Sequence, residues 1–271
     1  MKIFKERIKL STEILKNKGL SFIPTMGGLH KGHISLIKKS KKFKRKILVS
    51  IFINPKQFNK KDDYRNYPRT LNKDIKILEK LKVNYLFIPA YEEVYGFKPK
   101  KKIYLDKTSN KLCGFFRKGH FKGVVDVVNR LIEIVKPKYI FFGKKDYQQL
   151  YLIKKHILKR KIILKVIECE TIREKNGVAL STRNLKLMAR EKKIASNIYH
   201  YLKNIKKNKE NKFDSKMINK FKKNVLKLGA DKIDYLENYN IKKMVKEMNI
   251  NKKTKLFIAY FIGKVRLIDN I

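Results

Sequence analysis

Apolar runs of strand length alternate with helix-period stretches along the first part of the chain. Residues 20–24, 47–53, 85–89, 139–142 and 162–167 read as strands. Between them, residues 35–42, 71–81, 124–135 and 147–158 carry apolar positions at helical spacing. Thr70 is a candidate N-cap for the second of these helices. Lys73 stands where a capping box prefers Glu, so that cap is incomplete. Strands and helices alternating at these lengths imply α/β architecture: a doubly wound parallel sheet with helices on both faces.

Past residue 172 the pattern changes. A polar helix is expected over residues 184–206, followed by the lysine- and asparagine-rich loop "KKNKENKFDS" and a second helix reaching Leu228. The alternating stretches "DKIDYLENY" and "KTKLFIAYFIGKVRLID" close the chain as strands. Helices followed by antiparallel strands predict a second, smaller C-terminal α+β domain, so the expected division is 1–172 and 173–271. No internal repeat is visible.

With 271 residues and 43% hydrophobic content, the chain can bury one large core or two modest ones. Its longest apolar stretch is strand-sized, and the charged, amphipathic start lacks the apolar core of a secretory signal, so a cytoplasmic protein with no membrane span is expected. Cys113 and Cys169 form no CxxC or zinc spacing, and imply neither a disulfide nor a structural metal. The formal net charge of +46 at first points to nucleic acid. The excess is mainly Lys, however, and it is spread from end to end among abundant Asn and Ile. Those three residues share AT-rich codons, so a biased genome produces this composition without selection for a polyanion. No specific nucleic-acid partner is expected, only weak, salt-sensitive adhesion.

Four stretches carry candidate chemistry. In "PTMGGLHKGH", a strand runs into a glycine turn and then a helix, the arrangement that sets backbone N–H groups and a helix N-terminus against phosphate. Gly27, Gly28 and Gly32 allow close approach, and His30 and His33 can donate to phosphate oxygens as charge builds. Without GK[ST], the histidines would do the work that Lys does in a P-loop. The same pair could instead cap the helix and satisfy loop carbonyls. In "GKKDYQQ", after a strand, Gly143 permits close approach, Lys145 offers positive charge and Gln149 can bond a hydroxyl or carboxylate. Asp146 as an ordinary helix cap is the alternative. In "ALSTRN", Ser181, Thr182 and Arg183 suit a polyphosphate tail or a capped helix start. In "INPKQF", Gln57 at a strand end can read a hydroxy acid or close a turn.

These residues coincide with a known pattern. "PTMGGLHKGH", "VSIFINPKQF", "YPRTLNKDI", "GHFKGVVDVVNRL", "FFGKKDYQQL", "VALSTRN" and "RLIDN" occur in the order of the pantothenate synthetase (pantoate–β-alanine ligase) family, which the chain resembles along essentially its whole length. The HxGH element also marks a wider nucleotidyltransferase superfamily. The resemblance implies a Rossmann-like first domain and a C-terminal lid domain that closes over ATP. It implies a two-step reaction. Pantoate attacks the α-phosphate of ATP to give pantoyl adenylate and pyrophosphate, and the amine of β-alanine then displaces AMP. Mg²⁺ would accompany ATP, and a homodimer would be the assembly.

By carry-over, Met26, Gly27, Gly28, Leu29, His30, Lys31, Gly32 and His33 line the ATP site, with His33 as the family's proposed proton donor. Gly143, Lys144, Lys145, Asp146, Ile172, Leu180, Ser181, Thr182 and Arg183 complete it, and His30, Lys145, Ser181 and Arg183 join His33 in catalysis. Gln57 and Gln149 hold pantoate, Gln57 also borders β-alanine, and Tyr67 helps wall the pocket. The chain departs from the family in places. Lys31 replaces a commonly acidic residue between the histidines and is expected to point outward. Lys118 replaces the proline before "GHF", which predicts a looser loop around Arg117. Thr182 keeps the hydroxyl of a usual serine. Lys73 replaces another commonly acidic residue, which leaves Asp74 as the carboxylate expected at the metal.

Overall fold

The computed structural model describes residues 1–17, 19–59, 61–208, 210 and 212–271. Residues 209 and 211 of the expected lysine-rich loop lie outside the described residues. The chain forms two compact units, Met1–Glu170 and Thr171–Ile271.

The first unit is a six-stranded parallel sheet built from β1 (Lys2–Phe4), β2 (Ser21–Thr25), β3 (Ile47–Ile51), β4 (Tyr85–Phe87), β5 (Tyr139–Gly143) and β6 (Lys165–Cys169). Its order is β1-β4-β3-β2-β5-β6, so the winding reverses between β2 and β5. The crevice at such a reversal, beyond the carboxyl ends of the strands, is where open α/β sheets bind ligands.

Helices cover both faces. Phe22, Leu48, Phe87 and Ile140 pack on one side with Leu10 and Ile14 of α1 (Arg7–Leu15), the apolar stripe of α7 (His120–Val135), and Leu150, Ile153 and Ile157 of α8 (Tyr147–Lys159). Ile23, Val49, Leu86 and Phe141 face the other way, onto Leu36 and Ile37 of α2 (Lys31–Lys41) and Leu78 of α4 (Leu71–Lys80). Successive strand residues point to opposite faces and both faces are buried, which is why these strands read as unbroken apolar runs. The short helices α3 (Lys61–Arg65), α5 (Tyr91–Tyr95) and α6 (Cys113–Phe116) lie in the connections.

Several boundaries differ from the pattern, three of them instructively. β1 was not anticipated; three residues beside Lys, with Ile3 44% exposed, give no periodic signal, and its pairing with β4 supplies the strand. β6 starts at Lys165 rather than 162, because its register is set by Tyr139 opposite Lys165, and Ile163 is left 99% exposed. α2 begins at Lys31 rather than Ser35, for a reason that lies in the site itself.

The second unit is antiparallel, with order β10-β9-β7-β8 from β7 (Lys232–Asn240), β8 (Val245–Lys246), β9 (Thr254–Ile262) and β10 (Val265–Asn270). Ile198 and Leu202 of α9 (Ala189–Lys207) and Phe221 and Val225 of α10 (Ser215–Lys227) bury against Leu236, Leu256 and Ile258. α9 starts five residues later than its polar pattern implies, since residues Thr182–Lys186 form a 3₁₀ turn. The Glu191 carboxylate accepts from Met188 N at 2.7 Å and sets the helix start there.

Candidate active site

The glycine turn follows β2. Gly27 and Gly28 have φ of +81° and +64°, a region closed to most side chains, which lets the backbone double back before α2. Thr25 Oγ1 donates to Ser50 O at 2.7 Å and accepts from Gly27 N at 3.2 Å. The next two N–H groups turn inward: Gly28 N donates to Asp74 Oδ2 at 2.9 Å and Leu29 N to Asp74 Oδ1 at 2.8 Å. Asp74 is 1% exposed on the first turn of α4, and its Oδ2 also accepts from Thr70 Oγ1 at 3.1 Å. Thr70 therefore caps the carboxylate rather than the helix backbone. Asp74 faces the turn, with one carboxylate oxygen on each of two successive N–H groups.

The histidines do the capping job that the sequence left open. His30 is the N-cap of α2, its Nδ1 accepting from Gly32 N at 3.1 Å, while His33 Nδ1 accepts from His30 N at 3.3 Å. Two imidazoles thus make a reciprocal capping box, which fixes the helix start at a place no Ser, Thr or Asp signal marks. A Cβ on Gly32 would come within 2.7 Å of His30 Cε1, so the cap requires glycine there. Because each Nδ1 is an acceptor, each neutral ring carries its proton on Nε2, the edge away from the cap. The rings lie 4.2 Å apart between centroids. Desolvation, reinforced by the neighbouring His30, pushes the His33 pKa down to about 3; desolvation and then Lys145 lower that of His30. At neutral pH the His33 ring is an uncharged Nε2–H donor.

The turn therefore differs from a phosphate loop. Gly27, Gly28, Leu29, His30 and Gly32 all direct their N–H groups to partners within the protein. Lys145 and Asp146, just past the end of β5, are near enough to act electrostatically on both rings. A Cβ on Gly143 would meet nothing within 4 Å, leaving room for a ligand to approach the strand end. Gln149 is partly exposed on the first turn of α8, whereas its neighbour Gln148 is buried and holds Cys113 N, Thr108 O and Lys111 O.

Gln57 ends the 3₁₀ turn Pro55–Gln57 after β3 and is 9% exposed. Its side chain lies between Asn54 Nδ2, 3.4 Å from Oε1, and Met26 Sδ, 2.6 Å from Nε2. Its carbonyl accepts from His120 Nδ1 at 2.6 Å and Arg117 Nη2 at 3.3 Å, and Arg117 Nη1 donates to His120 Nε2 at 2.9 Å. Arg117 is thus tied down, and the Asn59 side-chain amide donates to Lys118 O, so the loop is held there without the proline. Asn54, His120 and the role of Asp74 escaped sequence reasoning. Asn54, fully buried, reads as a turn residue, and His120 carries no local signal beyond its place in "GHF".

Met26, Gly27 and Asp74 also border a cavity of about 520 Å³, walled by Phe52, Tyr64, Arg69 and Tyr91 among others. Tyr67, expected in the pocket wall, packs edge-on against Phe58 at 5.6 Å between ring centroids.

In the second unit, Leu180 N donates to Ile172 O at 3.0 Å, and an antiparallel bridge joins Arg173 to Ala179, so Ile172 and "ALSTRN" share one loop. Arg173 grips Asp269 with both guanidinium nitrogens, at 2.6 and 2.9 Å. Ser181 Oγ accepts from Arg183 N at 3.2 Å, the capping role weighed above. Asn184 anchors the loop through Glu174 Oε1 and Ala179 O.

A family profile described as Pantoate-beta-alanine ligase matches residues 2–271. A pantothenate synthetase of Pseudothermotoga lettingae is 40% identical, with 98% of this chain and 95% of that protein aligned. That of Thermosipho africanus is 38% identical, at 98% and 96% coverage. The crystal structure of pantothenate synthetase from Thermus thermophilus superposes with a TM-score of 0.91 at 29% identity, covering 100% of this chain and 99% of that one. The pantoate-beta-alanine ligase of Francisella tularensis, solved in complex with beta-gamma ATP and beta-alanine, gives 0.84 at 36% identity, with 100% and 97% covered.

Proposed function

The chain belongs to the pantoate–β-alanine ligase family, and from that membership we infer its reaction: ATP-dependent condensation of pantoate with β-alanine to pantothenate, releasing AMP and pyrophosphate. The observation that carries this reading is the imidazole pair at the sheet's winding reversal, facing the Lys145 end of β5, in a chain that matches the family from residue 2 to 271.

In the first step a pantoate carboxylate oxygen bonds to the α-phosphorus as the bond to pyrophosphate breaks. In the second the amine of β-alanine attacks the acyl carbon and AMP leaves. Both nucleophiles belong to substrates, so the protein's task is positioning and charge stabilisation. His30 and His33 offer Nε2–H donors to phosphate oxygens, and Lys145 adds positive charge. Gln57 and Gln149 hold pantoate, and Gln57 also borders the amine. Ser181, Thr182 and Arg183 serve the nucleotide in the role the resemblance assigns them. Arg183→Ala is then expected to diminish the pyrophosphate burst of the first half-reaction.

Mg²⁺ belongs to the proposal as a companion of ATP, where it would neutralise phosphate charge. Among the described residues no three His, Cys, Asp or Glu side chains come together in a group that could hold a metal ion. A homodimer and a cytoplasmic address are likewise proposed from the family resemblance. No described helix is long and apolar enough to cross a membrane. Product analysis after mixing the protein with ATP, Mg²⁺, pantoate and β-alanine tests the reaction. Pantothenate and AMP in equal amounts are expected, with pyrophosphate still released when β-alanine is omitted. Adenylation of some other acid, and none of pantoate, would overturn it.

A further inference from the structure

The two successive N–H groups of Gly28 and Leu29, set by consecutive left-handed glycines, form the kind of concavity that binds anions elsewhere. Here the anion is supplied from within. Asp74 reaches it from a helix 46 residues along the chain from Gly28, giving one carboxylate oxygen to each N–H at 2.9 and 2.8 Å. Thr70 Oγ1 steadies Oδ2 at 3.1 Å, and Asp74 itself is 1% exposed. The approach is close: a Cβ on Gly27 would lie 3.1 Å from Asp74 Oδ2.

We propose that Asp74 is a positioning residue, an internal anion that occupies the turn's N–H concavity and thereby aims His30 and His33 at the triphosphate, and that it is no ligand of Mg²⁺. The inference rests on the reading that the turn serves ATP. Its chemistry follows from the donor set. With the concavity filled, phosphate cannot enter on that side and must meet the Nε2 edges. With both carboxylate oxygens bonded to backbone N–H groups, metal coordination would require breaking two charge-assisted hydrogen bonds in a buried site. Asp74 touches no reacting atom; it acts through the segment that carries the imidazoles.

Amide hydrogen exchange in the ligand-free protein tests this without catalysis. In the native chain the Gly28 and Leu29 amides are expected to exchange at least about 100-fold slower than unstructured amides. Unprotected amides would overturn the proposal. Asp74→Asn keeps the shape but replaces one acceptor by a donor. Exchange at both amides is expected to accelerate about tenfold or more, and kcat for pyrophosphate release to fall about 100-fold, with the Mg²⁺ concentration for half-maximal rate unchanged. Unchanged exchange, unchanged kcat, or a Mg²⁺ requirement raised tenfold would each defeat the idea. Should that variant fold poorly, Thr70→Val removes only the supporting hydroxyl, and the same shifts are expected at roughly threefold; no shift counts against the proposal. If the native protein releases no pyrophosphate from ATP and pantoate, the functional reading fails, while the exchange result still judges the anchor.

Discussion

His33 joins two roles in one ring: Nδ1 accepts the His30 N–H and so leaves the proton on Nε2. With burial pushing its pKa down to about 3, the resting ring is uncharged and presents that proton as a hydrogen-bond donor. His33→Ala is expected to slow adenylate formation by about two orders of magnitude, as when one preorganised donor to a developing charge is lost. His33→Gln separates hydrogen bonding from proton transfer. Glutamine at this position of a capping box can accept the His30 N–H and still present an N–H donor. It is expected to recover about tenfold of the alanine loss, with circular dichroism checking that α2 persists. Equal rates for the two variants would favour a proton donor.

At the scale of elements, the proposed pantoate side depends on how α7 meets the turn after β3. Gly123 sits so close that a Cβ there would lie 2.1 Å from Lys56 O and 2.9 Å from Gln57 N, and its carbonyl accepts from Asn54 Nδ2 at 3.1 Å. Gly123→Ala must push the turn away. A loss of about 1–3 kcal/mol in chemical denaturation is expected, with pantoate KM raised more than ATP KM. Parallel effects on both would separate Gln57 from pantoate. Sequence reasoning located Gln57 at a strand end but not what holds it, because Arg117 and His120 come from 60 and 63 residues away. Strand and helix identities were legible because periodicity is local. Ends were less so: β6 shifted to suit its partner, and the start of α2 was set by two imidazole caps.

For the whole molecule, protonation and charge set the limits. His156 is fully buried between Tyr104 N and Asn129 Oδ1, and desolvation with the nearby Arg160 pushes its pKa down to about 4. The unfolded chain takes up that proton near 6.5, so its contribution is intact above that pH and drains away as pH falls towards 4. The loss is on the order of 3 kcal/mol for His156, with His33 adding in the same direction to lower pH. Denaturant midpoints measured from pH 7 to 4 are expected to fall, and to fall less in His156→Gln. The net charge of +46 predicts RNA adhesion that weakens by about two orders of magnitude between about 50 and 200 mM salt; binding that survives would revive a nucleic-acid role. By itself the sequence determined the alternation of strands and helices, the change of character near residue 172 and the motifs that identify the family, since each is written in neighbouring residues. Only the tertiary structure decided which nitrogen of each histidine takes the capping bond and that the turn's N–H pair is filled by Asp74. The Asp74 contacts join partners 46 and 45 residues apart that meet only once the sheet has formed; the histidine caps are local, but which ring nitrogen each one uses is fixed by the folded geometry of the turn.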